Sequence, residues 1–281
     1  MKIKQTIEND FGLEGHIIIC NWSEKTDLLI GELHDASLDR KRPIIIITEN
    51  PHEVPDFDAD DSYRGIMIVK GNPSHEESLK RAGINSASTV IILADRELGD
   101  SADTKTIMTA IAIDHIEPKV HVVAEVILSS NVPYFSYTLV NEIICLELLT
   151  ERLLAQSCLT PGISFIFSDL LTQSRDTNEI YVEDIPKKYI GKTYLGLKTA
   201  IVGMVKEDII LIGIGGKAKV LNNAGEPVFN SDGKHAIKDF LSINPKSNIN
   251  SNGSEYHKDY ILKEGDKAYI IAYTKPDLNL L

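Results

Sequence analysis

Five short runs of β-branched and aliphatic residues punctuate the first half of this chain, and their spacing limits what it can fold into. Ile17-Ile18-Ile19-Cys20, Ile44-Ile45-Ile46-Ile47-Thr48, Ile66-Met67-Ile68-Val69, Val90-Ile91-Ile92-Leu93 and Val120-His121-Val122-Val123-Ala124 are each about one strand long. They show no polar alternation, which marks strands buried on both faces. Most of the segments between them have helical period or turn chemistry. Residues 25–36 carry Leu28, Leu29, Leu33 and Ala36 as an apolar stripe. Ser74 with Glu77 makes a capping box for a helix that passes Leu79 and Ala82 and stops at Gly83. Asp100 or Ser101 caps a further helix through Ile107, Ile111 and Ala112. Residues 143–145 read as a short sixth strand. The expected fold class is α/β: a Rossmann-like, doubly wound parallel sheet.

The chain has 281 residues, more than the roughly 100–200 of a typical single domain. The pattern changes along it accordingly. Residues 1–145 carry the α/β rhythm. Residues 146–175 hold two consecutive apolar helical segments, 146–158 and 163–172, separated by Pro161-Gly162. The second is rich in Ile163, Phe165, Ile166, Phe167, Leu170 and Leu171, more apolar surface than one sheet can cover, so it predicts a contact between lobes or copies. Residues 176–281 read as a small α+β lobe. It has short strands at 179–182, 202–205, 209–214 and 268–272, one helix near 194–200, and an Asn/Ser-rich loop at 244–254.

A formal charge of −12 argues against a nucleic-acid partner, which needs a basic face. No run reaches the roughly 20 apolar residues of a membrane span, and the first ten residues lack a signal-peptide core. Three cysteines, Cys20, Cys145 and Cys158, lie in apolar contexts without C-x-x-C spacing and are expected to be buried, reduced thiols of a cytosolic protein. The eight histidines show no metal-ligand spacing, and His34, His52 and His75 read as surface residues. Neither a G-x-S-x-G elbow nor H-E-x-x-H occurs, so the chain is not expected to be an enzyme.

Ligands of open parallel sheets bind at the carboxyl ends of the strands. The first strand runs into Asn21-Trp22-Ser23-Glu24, where a dinucleotide fingerprint would place glycines. Asn21, Ser23 and Thr26 occupy the three glycine positions, and Asn tolerates left-handed backbone. Ser23 and Thr26 carry hydroxyls that suit a phosphate, and Trp22 lies between. Glu49, ending the second strand, sits where an acidic residue meets a ribose hydroxyl. Asp95 after the fourth strand and Glu125 at the end of the fifth are candidates to share one cation, whereas Asp100 and Asp103 read as helix caps. Gly213-Ile214-Gly215-Gly216 imitates a phosphate loop but precedes no helix and reads as a turn. Residues 56–61 imitate the start of a calcium loop, but Asp61 and Met67 stand where Gly and Glu are required.

Taken in order, several of these stretches resemble RCK domains, the regulators of potassium conductance. His16-Ile17-Ile18-Ile19-Cys20-Asn21-Trp22-Ser23-Glu24 is similar to that family's first strand and its C-G-W-S/N-E turn, with Asn21 in place of Gly. Gly71-Asn72-Pro73 resembles the turn after its third strand, and Asp103-Thr104-Lys105-Thr106 and Val122-Val123-Ala124-Glu125 resemble its later elements. Ile190-Gly191-Lys192-Thr193 and Leu262-Lys263-Glu264-Gly265-Asp266-Lys267 look like the C-terminal lobe shared with Trk/Ktr regulatory subunits.

The resemblance implies a cytosolic ligand-sensing module on the inner face of the plasma membrane. Copies would pair through the helices after the sheet, build up to an octameric ring, and gate a potassium pore that precedes this stretch. Its ligand would be a nucleotide (NAD or an adenine nucleotide) or a divalent cation such as Ca²⁺, with Asn21, Trp22, Ser23, Thr26, Glu49, Asn72, Asp95 and Glu125 as the site. In calcium-gated members of the family a carboxylate near the fourth strand and two on the fifth hold the ion. Asp95 approximates the first, Glu125 matches one, and Ile127 replaces the other. The alternatives are a separate Trk/Ktr-type subunit of a potassium transporter and an NAD-dependent oxidoreductase.

Overall fold

A computed structural model describes residues 12–23, 25–34, 42–55, 65–172, 177–204, 208–219, 237–245 and 260–281. The calcium-loop look-alike at 56–61 and most of the 244–254 loop fall outside these residues. The chain divides into two compact units, Met1–Ile166 and Phe167–Leu281.

In the first unit six parallel strands form one sheet in the order β3-β2-β1-β4-β5-β6. They are β1 (Ile17–Cys20), β2 (Ile44–Thr48), β3 (Ile66–Lys70), β4 (Thr89–Ile92), β5 (His121–Val126) and β6 (Glu142–Cys145). Strand alternation splits the apolar residues between the two faces. Ile18, Cys20, Ile45, Ile47, Val90 and Ile92 enter one core with α2 (Glu76–Arg81) and α3 (Ala102–Ile116). Ile17, Ile19, Ile44 and Ile46 enter the other, closed by Ile30 of α1 (Lys25–Leu33). Double burial explains the unbroken isoleucine runs. Helix α1 buries Ile30 rather than Leu28, which is exposed.

Neither Ser74 nor Ser101 makes the capping bond expected of it. The Ser74 amide and hydroxyl both donate to Asn72 Oδ1, at 2.9 and 2.6 Å. His75 is the N-cap of α2, without a side-chain cap bond. Ahead of α3, a 3-10 segment over Arg96–Ser101 runs straight into the helix, so Ser101 makes no capping bond either. Asp103, in the first turn of α3, is buried and accepts from the Ile127 and Leu128 amides and from Asn131 Nδ2, at 2.8, 3.0 and 2.8 Å. It ties the exit of β5 to α3. His34 is also buried, its Nε2 2.8 Å from the Arg42 carbonyl, so it is not the surface residue expected.

After β6 come α4 (Leu146–Leu159) and α5 (Ile163–Leu171), neither of which buries a residue. Cys158 on α4 is exposed, unlike Cys20 and Cys145. The second unit holds an antiparallel sheet, β7-β10-β8-β9, built from β7 (Glu179–Asp184), β8 (Ile209–Lys219), β9 (Ile237–Ile243) and β10 (Lys267–Ala272). Helix α6 (Tyr194–Val202) buries Tyr194, Leu197 and Ile201 with the core residues of this sheet. Three expectations change here. Val202 ends α6 instead of starting a strand, β9 is a strand beyond those expected, and Gly213–Gly216 lies inside β8. Those glycines are required by proximity: a Cβ on Gly213 would lie 2.6 Å from the Ser242 carbonyl oxygen of β9.

Candidate functional site

The strand order reverses at β1, which has β2 on one side and β4 on the other. Loops leaving such a pair diverge and open a crevice at the carboxyl ends. A cavity of about 700 Å³ lies there, lined by the loops that follow β1, β2 and β4. Of the residues read from the sequence, it brings together Asn21, Trp22, Ser23, Glu49 and Asp95.

Asn21 has φ 72°, the left-handed conformation that a glycine would supply at this turn. Its side-chain Nδ2 donates to the Leu93 carbonyl at 2.7 Å, joining the exits of β1 and β4. Thr26 is fully buried and does not line the cavity. Its Oγ1 accepts the Ser23 amide at 3.0 Å, which organises the start of α1. Asn72 serves its own turn, as described above, and is likewise away from the lining.

The charged residues form two clusters. Glu125 is buried beneath the crevice, and its Oε2 accepts the Ala94 amide at 3.1 Å. Its Oε1 receives the Lys25 ammonium, and Arg96 Nη2 stands 3.6 Å from the same oxygen. Lys105, from the first part of α3, donates to Glu49 Oε2 at 2.7 Å and to Asp95 Oδ2 at 3.1 Å. Burial pulls the Lys105 pKa down, but the hydrogen bonds and charges of Glu49 and Asp95 outweigh it, and the net shift is upward. Asp95 and Glu125 each take a cationic side chain, Lys105 for the first and Lys25 for the second. Among the described residues no three His, Cys, Asp or Glu side chains gather as a metal site. Lys25, Arg96 and Lys105 were not singled out from the sequence, because nothing local marks a lysine whose partners lie on other strands.

Residues 12–124 match the family model of the calcium-activated potassium channel slowpoke-like RCK domain. These residues are an RCK domain. Among curated relatives, the calcium-gated potassium channel TvoK of Thermoplasma volcanium is 28% identical over 175 residues, covering 61% of this chain and 48% of that protein. The probable ion channel POLLUX of Oryza sativa subsp. japonica is 22% identical over 268 residues, covering 92% of this chain and 24% of that one. The chain thus spans about half, or less, of the length of these relatives. The human SLO3 gating ring superposes with a TM-score of 0.60 at 16% identity, over 93% of this chain and 44% of that one. The shared fold therefore runs past the RCK domain into the second unit. No helix among the described residues is long and apolar enough to cross a membrane.

Proposed function

We propose that this chain is the cytosolic, ligand-sensing gating module of a potassium channel, with the β1/β2/β4 crevice of its RCK domain as the ligand site. The observation that carries the reading is the crevice itself: a cavity lined mostly by polar and charged residues at the switch point of an RCK sheet, in a chain whose relatives are named as ion channels. Its size suits a nucleotide, and Glu49 sits at the end of β2, where a ribose hydroxyl is met. The role is regulatory rather than catalytic. Cys20, the thiol at the end of β1, is pushed up to about 12 by burial and so stays protonated and inert.

Gating follows if the ligand binds two arrangements of an assembled ring with different affinities, since only that difference can shift a pore equilibrium. Copies would pair through α4 and α5, most of whose large apolar side chains are exposed among the described residues. The pore would lie elsewhere in a longer protein, with the ring on the inner face of the plasma membrane.

Trp22 is the chain's single tryptophan and lines the crevice, so it reports binding directly. Titrating the purified chain with NAD, ADP and ATP is expected to change Trp22 emission saturably and raise Tm for at least one of them. No response to any of the three up to millimolar concentration would remove the nucleotide-sensor reading.

A further inference from the structure

The crevice carries its own cations. The Glu125 side chain is only 9% exposed and is fully engaged: Lys25 and Arg96 face one oxygen and the Ala94 amide the other. Lys105, with its side chain 16% exposed, holds Glu49 after β2 and Asp95 after β4 with a single ammonium group. A divalent cation such as Ca²⁺ needs six to eight oxygens at about 2.3–2.6 Å. At these carboxylates it would instead meet fixed positive charges, which repel it strongly across a few ångströms of partly buried medium. Ile127 brings no oxygen from its side chain, and its amide is taken by Asp103. Asp103 is itself saturated by three donors and buried. While these ammonium groups are in place, the strand-end carboxylates do not fit a divalent ion.

We propose that Lys25 and Lys105 are specificity-determining residues: tethered ammonium groups that occupy the strand-end carboxylates and make the module's ligand response independent of divalent cations at this crevice. This rests on the crevice being the ligand site, and it narrows that reading. The carboxylates of β2, β4 and β5 are held in place without a bridging metal. A phosphate-bearing ligand would meet Arg96 and Lys25 directly rather than through a bound ion.

The test follows Trp22 emission and Tm of the purified chain during titration with CaCl₂ and MgCl₂ at constant ionic strength, which removes general screening effects. The wild type is expected to show no saturable change up to millimolar cation. Lys25→Met/Lys105→Met is expected to gain a saturable Ca²⁺-dependent rise in Tm of about 3 °C at concentrations well above Kd. Adding Glu125→Gln should abolish that gain, and Lys25→Arg/Lys105→Arg should remain silent. If the double Met variant does not fold, Lys25→Gln/Lys105→Gln frees the same carboxylates with polar side chains and should gain the response. A saturable Ca²⁺ response of the wild type that Glu125→Gln removes would overturn the proposal. So would lysine variants as silent as the wild type. The nucleotide titration is a separate arm: its failure removes the nucleotide reading, while the cation arm still decides the role of the lysines.

Discussion

Asn21 makes two contributions through one residue. Its backbone accepts the left-handed turn after β1, and its side chain closes a buried hydrogen bond to Leu93. Left-handed backbone costs an ordinary L-residue roughly 1–2 kcal/mol, less for Asn, and a net buried hydrogen bond contributes about 1 kcal/mol. The two contributions separate by substitution. Asn21→Ala should lose both and destabilise the fold by roughly 2–3 kcal/mol. Asn21→Gly keeps the turn at no steric cost and should lose only about 1 kcal/mol. Urea unfolding midpoints at unchanged m would measure the pair; equal losses would mean that the turn does not need its left-handed residue. The same position explains how an RCK domain keeps its first turn without the family's glycine.

At the scale of elements, β8 shows what a sequence pattern can hide. Glycine clusters read as turns because glycine weakens a strand. In β8 they permit close neighbours instead. Gly213 lies under the Ser242 carbonyl of β9, and a Cβ on Gly215 would fall 2.5 Å from the Tyr269 ring of β10. The pairing with β10 also shifts register between Tyr269 and Ile270, so Gly213 faces Tyr269 while Leu211 faces Ile270. That irregularity bends the strand locally. Gly213→Ala would force a methyl group against backbone that belongs to the paired strand and cannot swing aside. A loss of about 2 kcal/mol or more is expected, read as a lower Tm by circular dichroism. An unchanged Tm would show that β9 can move away from β8.

For the whole molecule the unresolved demand is coverage of α4 and α5. Phe165 is 79% exposed and Leu159 78%, on two helices that bury nothing. Contiguous apolar surface of this kind marks an interface. In a homo-oligomer the simplest solution is an isologous pair, in which both copies present the same surface. Phe165→Ser/Phe167→Ser should leave circular dichroism and Tm of the isolated chain nearly unchanged and shift its elution on a sizing column from oligomer to monomer. An unchanged oligomer would place the contact elsewhere.

The parallel sheet, the two-sided burial of its isoleucine runs and the end of the strands at which a crevice would open are all legible in the order of residues. Each is encoded in neighbouring residues: hydrophobic period sets the element, and the loop after each strand marks the carboxyl end where ligands of such sheets bind, whereas the reversal at β1 belongs to the fold. Asn21, Trp22, Ser23, Glu49 and Asp95 were found because strand ends can be read locally. What those carboxylates touch is a product of the folded chain. Lys105 lies 56 positions from Glu49, and Lys25 lies 100 from Glu125. Folding also gave Asn72, rather than Ser74, the turn before α2, and placed the β8 glycines under neighbouring chains. The physical reason is the same throughout: backbone preference is a property of a short window, whereas the partner of a charge or the clearance above a glycine depends on how distant strands come into register.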